Sequence, residues 1–276
     1  MASANPTSRK SLVTHMAEQR LMLIMAHPDD AEFSAGGLMT LWHQAGYAIK
    51  ILCLTNGNAG HHELGRAALA ARRYEEAGQA AALVDAEIEI WPQDDGRLVP
   101  SVELREQLIA AIRAYAPSVI VTHRTADYHP DHRATAQLVK DSAYLLQVPA
   151  IAPEQQPLRS IPSILLTFDR FDEPRPFRLD WVIDTEAVQP LIIDLLACHA
   201  SQVFEWLPAL VTKTDDDRPF DRAWLTHFYQ RKPAAVAKKA RALNSAHSEL
   251  RFAEAFEVSD YGGPFDSTHF DFLPSR

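Results

Sequence analysis

The chain predicts an α/β fold built on a mostly parallel, doubly wound sheet. Short apolar runs recur along it, each followed by a polar turn, and most turns open a longer segment with apolar residues at helical spacing. Leu21–Ala26 is the first run, continuous in the way a strand buried on both faces must be. The turn His27–Asp30 leads to a helix over Phe33–Ala45, with Leu38, Leu41 and Trp42 recurring at helical spacing and Gly46 as a stop. Ile49–Leu54 is the second strand, Thr55–Gly65 a Gly/Asn/His loop, and Ala67–Leu83 an Ala-rich helix. Glu87–Trp91 is the third strand, Gln93–Arg97 a polar turn, and Val102–Tyr115 a helix closed by Pro117. Ser118–Thr122 is the fourth strand, and the loop through Asp131 precedes a helix to about Leu146. This alternation gives right-handed βαβ units. Pro149, Pro153, Pro157 and Pro162 make Gln147–Ser163 a surface connection. Ile164–Phe168 and Leu179–Ile183 read as further strands, Thr185–Ala200 as a helix, and Thr214–Phe220 as an acidic loop. Residues 1–19 read as a flexible tail and 20–276 as a single domain with C-terminal elaborations.

Composition narrows the function classes. The net charge is −9, with both signs interspersed, which argues against nucleic acid or an anionic membrane as partner. No apolar run approaches the length that spans a bilayer, and the N-terminal residues lack a signal-peptide pattern, so a cytoplasmic protein is expected. Cys53 and Cys198 lie in apolar segments without metal-type spacing and read as reduced core residues.

The chemistry is concentrated in a repeated tripeptide. His27-Pro28-Asp29 is followed by Asp30, and His129-Pro130-Asp131 by His132, each after a predicted strand. In open parallel sheets ligands bind beyond the carboxyl ends of the strands, so both loops should share one edge. His27, Asp30 and His132 supply two imidazoles and one carboxylate, a donor set suited to Zn²⁺ and also accepted by Fe²⁺, Co²⁺ or Mn²⁺. Asp29 is then placed to take a proton from the attacking water, and His129 to stabilise an oxyanion. Asp131 is expected to hold the His129 ring. Taken singly, Asp30 and Asp131 can equally be helix caps; it is the two copies together that point to a metal-dependent hydrolytic site.

These residues resemble a known family. Ala26-His27-Pro28-Asp29-Asp30, Gly36-Gly37 and Tyr128-His129-Pro130-Asp131-His132-Arg133-Ala134-Thr135 are similar to the signature loops of the PIG-L/LmbE-like zinc-dependent N-deacetylases. Leu54-Thr55-Asn56-Gly57, Arg73 with Glu76, Asp95-Gly96 and Ala253-Glu254-Ala255-Phe256 (matched to a late helix) extend the resemblance over about 21 to 256. It implies a Rossmann-like three-layer fold without dinucleotide binding. It also implies zinc on His27, Asp30 and His132, Asp29 as general base, and His129 as oxyanion stabiliser and acid, oriented by Asp131. The implied substrate is an N-acetylated amino sugar or sugar conjugate, and homo-oligomers are common in the family. Arg73 and Asp95 become candidates for substrate contact.

One departure bears on specificity. Many members carry Glu where Asn58 stands, and the loop here continues Ala59-Gly60-His61-His62-Glu63. His62 is therefore a further substrate-binding candidate, Trp206 and Phe204 are candidates for a sugar-stacking wall, and a zinc amidase acting on a non-sugar or thiol-conjugate amide is the alternative activity. His199, on an apolar helix, reads as a core group. A nucleotide-binding module is disfavoured because no Gly-rich phosphate loop follows any strand, and a serine hydrolase because no G-x-S-x-G occurs.

Overall fold

The structure, a computed structural model, describes residues 19–210 and 219–270. The tail expected over 1–19 lies outside the described residues except for Gln19, and so does the acidic loop over 214–220 except for Pro219 and Phe220.

Seven strands form one sheet in the order β3-β2-β1-β4-β5-β7-β6. They are β1 (Arg20–Met25), β2 (Ala48–Cys53), β3 (Glu87–Ile90), β4 (Val119–Thr122), β5 (Ser163–Thr167), β6 (Trp181–Asp184) and β7 (Ala253–Val258). The first five run parallel, and β7 is antiparallel to both β5 and β6. The longer helices are α1 (Asp30–Gln44), α2 (Arg66–Ala82), α3 (Val102–Tyr115), α4 (Pro130–Ser142), α5 (Gln189–Cys198) and α6 (Arg222–Leu243). The fold is the expected three-layer, Rossmann-like α/β architecture.

The central strand shows why the sequence folds this way. Side chains of β1 alternate between faces: Leu21, Leu23 and Met25 pack with Leu38, Trp42, Ala80 and Ile192, whereas Met22 and Ile24 pack with Leu108, Ile112 and Leu138. A strand covered on both sides has to be apolar throughout, and Leu21–Met25 are all fully buried. β1 has β2 on one side and β4 on the other, so the chain reverses direction across the sheet there. The crevice beyond the carboxyl ends of β1 and β4 is the topological switch point, and both His-Pro-Asp loops leave the sheet at it.

Three local features differ from the sequence reading. Ala253–Phe256, matched to a late helix, is strand β7; its period-two pattern sends Phe256 to one apolar cluster and Ala253 and Ala255 to another. α1 begins at Asp30 rather than Phe33 and is kinked at Ala35, where φ is −147°. The helix restarts at Gly36-Gly37, and the Glu254 carboxylate accepts from the Gly37 and Leu38 amides at 2.7 and 2.9 Å. A Cβ on Gly37 would stand 2.4 Å from the Thr185 methyl group, so only glycine allows this approach. After α5, Ser201–Trp206 form a π-helical turn, and the chain bends by 83°.

Among the described residues no single helix is long and apolar enough to cross a membrane. Cys53 and Cys198 are free thiols, as expected.

Candidate metal-dependent active site

The first loop folds back on itself. The His27 amide donates to Asp30 Oδ2 at 2.8 Å, and His27 Nδ1 lies 3.2 Å from the same oxygen. Asp29 between them has φ of +124°, a conformation L-residues rarely adopt and one that a surrounding clamp must hold. Arg73 of α2 is that clamp. Its guanidinium donates to the Gly57 carbonyl at 3.0 Å and to the Pro28 carbonyl, and Nη2 stands 3.1 Å from Asp29 Oδ1. Gly57 (φ +65°) is required here, since a Cβ would fall 2.5 Å from the guanidinium.

The second loop is held differently. His129 is the N-cap of α4, its Nδ1 accepting from the Asp131 amide at 3.2 Å. With Nδ1 an acceptor, the ring proton of neutral His129 sits on Nε2, which points toward Asp95 Oδ1 at 3.9 Å. Asp131 does not orient His129 through its carboxylate, contrary to expectation. It lies in the first turn of α4, where its oxygens are taken by the Gly96 and Leu98 amides at 2.7 and 3.2 Å and by His27 Nε2 at 3.2 Å. Asp131 therefore ties the two loops together through His27.

Asp30 bridges the expected ligand set. Its Oδ2 lies 3.2 Å from His27 Nδ1 and its Oδ1 3.2 Å from His132 Nε2. Donors at zinc-ligand distance from one tetrahedral ion stand roughly 3.3 Å apart, so each pair taken singly has a suitable spacing, on different oxygens of Asp30. His132 Nδ1 faces Asp127 Oδ1 at 3.0 Å, which leaves Nε2 as the inward donor, and that buried nitrogen has no hydrogen-bond partner. A buried imidazole nitrogen facing a carboxylate suits a cation between them. The triads that bring one donor atom each within 4.8 Å of the others are Asp30, His123 and His132, and His27, His129 and His132, so His27 and Asp30 fall in different sets joined through His132.

Electrostatics agree. Burial pushes Asp30 up, but the His132, His27 and His123 imidazoles hold it well below the usual carboxylate range. Burial lowers His132, yet the Asp30 and Asp127 carboxylates raise it to about 9, and His27 is likewise raised by Asp30 against the pull of burial. The carboxylates thus favour positive charge at these rings. Asp29 goes the other way: burial pushes it up to about 6 against the pull of Arg73. His129 is lowered by burial and by the neighbouring His27 and His132, so it stays neutral near pH 7.

The remaining candidates are placed as follows. Arg73, expected to meet substrate, is buried and directs its terminal nitrogens to the Gly57 and Pro28 carbonyls. Glu76 of the same helix binds Arg72 Nε at 3.0 Å and the Ser201 hydroxyl at 2.6 Å. Asp95 lies in the cluster, 3.2 Å from His27 Nε2 and within reach of His129. Asn58 is buried, bonded to Asp94 at 2.6 Å and to the Asp95 amide at 3.2 Å, so it shapes the Asp94-Asp95 turn. His62 is exposed at the rim, and Trp206 stands beside it. His199 is fully buried, 3.4 Å from Glu32, in keeping with a core group.

Two residues of the site were missed. His123 stacks on His132 with centroids 3.9 Å apart and accepts from the Ala26 amide at 3.1 Å; burial and the charge on His132 push it down to about 4. Asp127 orients His132. The signal for His123 was its position, the first residue beyond a strand on the ligand-binding edge. For Asp127 it was a carboxylate preceding the second tripeptide on the same loop.

Residues 22–143, which span both loops and the crevice between them, match the PIG-L family, described as GlcNAc-PI de-N-acetylase. These residues are a PIG-L family domain. Similarity to individual proteins covers more of the chain. The 4-oxalmesaconate hydratase of Pseudomonas putida is 23% identical, over 74% of this chain and 81% of that protein. The 1D-myo-inositol 2-acetamido-2-deoxy-alpha-D-glucopyranoside deacetylase 1 of Saccharopolyspora erythraea is 26% identical, over 71% of this chain and 81% of its own. The solved N,N'-diacetylchitobiose deacetylase of Pyrococcus horikoshii shares the fold with a TM-score of 0.71 at 20% identity, covering 95% of both chains.

Proposed function

We propose that this protein is a zinc-dependent hydrolase that removes the N-acetyl group from an amino sugar or sugar conjugate. The observation that carries the reading is the Asp30 carboxylate lying 3.2 Å from donor nitrogens of both His27 and His132, with His132 Nε2 otherwise orphaned. Held by His27, Asp30 and His132, a divalent ion would polarise the acetamide carbonyl and acidify an adjacent water.

The chain's own residues then supply the proton traffic. Asp29 is buried, lies next to the ligand Asp30, and has a pKa near 6, so its carboxylate is ionised at neutral pH and basic enough to take a proton from water as it attacks the carbonyl carbon. His129 presents an Nε2–H, with the ring fixed by its cap to the Asp131 amide; that donor serves the carbonyl oxygen as negative charge develops. Asp95 faces the same nitrogen at 3.9 Å. Collapse of the tetrahedral centre expels the amine, which must be protonated as it leaves; Asp29, having gained a proton, can return it. Arg73 and Gly57 hold Asp29 in its unusual backbone conformation.

Acetate release from a panel of N-acetylated sugars by the zinc-loaded chain, measured beside an Asp29→Asn variant that keeps its metal, tests the proposal. Equal rates for both proteins would remove Asp29 from the mechanism. Similarity to the Pseudomonas putida hydratase supports a second reading, water addition to an unsaturated carboxylic acid. Turnover of 4-oxalmesaconate with no acetate from any sugar would favour it.

A further inference from the structure

The helical layer over β5 has a gap that the chemistry above leaves unused. From α4 the chain returns to β5 through the Pro-rich connection rather than through another long helix. β5 lies inside the sheet, between β4 and β7, yet Leu166 stays only half-buried. It borders a cavity of about 150 Å³, lined also by Ile164 of β5 and by Ala136 and Val139 of α4. None of His27, Asp30 and His132 lines this space. His123 does, and the same ring stacks on His132, so it is the partition between the cavity and the crevice.

Most charges around the cavity are already matched. Arg124 donates to Asp169 Oδ1 and to the Arg175 carbonyl, each at 2.9 Å, which pins the loop after β5 along one side. Arg175 in turn holds both oxygens of Glu257 at 2.8 and 2.5 Å. Lys140 is the exception. Its ammonium lies 4.5 Å from the centroid of the Tyr261 ring and forms no ion pair among the described residues. Both side chains line the cavity, Lys140 half-buried and Tyr261 exposed, so this cation stands at the mouth.

An apolar floor with one uncommitted positive charge above it selects a ligand class. A cavity of this volume admits one six-membered ring, and small-molecule sites combine apolar walls with a few placed polar groups. We infer that the cavity binds a small carboxylic acid whose apolar body is about one ring in size, the body against Leu166, Ile164 and Val139 and the carboxylate on Lys140. A phosphate would find a single free cation and an apolar floor, and an amine would meet the Lys140 ammonium instead of a free buried carboxylate. The proposed base and metal ligands do not reach the cavity, so the acid is a ligand there and not a substrate. The inference goes beyond the hydrolytic reading and stands without it.

Benzoate is the probe, titrated into the zinc-loaded full chain by calorimetry beside benzyl alcohol, which keeps the ring without the charge, and acetate, which keeps the charge without the ring. Nine heavy atoms at the weak end of ligand efficiency give a dissociation constant of about 10 mM, and benzoate should bind at that value or tighter, one per chain. Lys140→Met should weaken benzoate roughly three- to tenfold and leave benzyl alcohol within twofold, and Lys140→Arg should restore the benzoate constant. Leu166→Trp should fill the space and abolish binding of both ring compounds, with the parent's circular dichroism; should that variant not fold, the two Lys140 variants decide alone. A carboxylate that binds a zinc ion instead would give acetate the same affinity as benzoate and would ignore Lys140→Met. That pattern, or no saturable benzoate binding, would overturn the site.

Discussion

The two His-Pro-Asp loops are identical over three residues and differ in almost every contact. In the first, the tripeptide precedes α1, and Asp29 is thrown into a positive-φ conformation that leaves its carboxylate facing the site beside Arg73. In the second, proline opens α4, and Asp131 is already helical, so its carboxylate turns across the crevice to Gly96, Leu98 and His27. The histidines diverge too: His27 presents Nδ1 toward Asp30, whereas His129 spends Nδ1 on capping its helix. Side-chain chemistry is thus assigned by where each helix begins. In the proposed mechanism the same three letters yield a base in one loop and a brace in the other.

That contrast can be broken by substitution. The largest effect is expected from His132→Ala, which removes the orphaned donor; the purified variant should hold no metal by elemental analysis after dialysis. Asp29→Asn should retain metal and lose about 10²- to 10⁴-fold in kcat, the range for a missing general base. Asp131→Asn should show the opposite pattern, with metal affinity falling roughly 10- to 100-fold and smaller losses in kcat once loaded. Matching profiles for the two asparagine variants would erase the distinction.

Proton linkage gives two smaller effects. As the proposed base, Asp29 is pushed up to about 6 by burial and would be pulled lower by a bound cation, so kcat/KM should fall toward acid with a midpoint at or below 6. A rate that instead rose on acidification would assign the essential proton elsewhere. Glu254 is raised by burial from 4.5 to about 7, against the pull of the Gly37 and Leu38 amides. Between those values the folded protein holds a proton that the unfolded chain releases, so stability should decline as pH rises through that window. The slope is at most about 1.4 kcal/mol per pH unit. Denaturation of Glu254→Gln across the same range should give a flatter line.

Much of the fold was legible because β1, β2 and β4 are buried on both faces and the helices between them keep their spacing; Val102–Tyr115 matches its expected bounds residue for residue. The crevice was legible because both loops leave neighbouring parallel strands. Partner choice was not. Nothing local distinguishes Asp131 bonded to His27 from Asp131 bonded to His129, since that depends on the crossing of segments a hundred residues apart. The burial of Arg73 was not legible for a related reason: space for its guanidinium depends on a glycine at positive φ on another segment. Ala253–Phe256 gave four residues of alternation, too few to outweigh helix-forming composition. The π-helical turn follows from the bend after α5, which no local pattern marks.

The Gly36-Gly37 kink has an architectural consequence. A Cβ on Gly36 would meet Ile192, and one on Gly37 would meet Thr185 and Glu254, so three contributors from beyond residue 180 press on the helix whose first residue is Asp30. All three lie outside the segment 22–143 that matches the family. Excised alone, that stretch would keep every proposed ligand yet lose the abutments that seat them, and β4 would end as a raw sheet margin without β5. The later half of the chain is the buttress of the earlier half, and the catalytic crevice is a joint product of both.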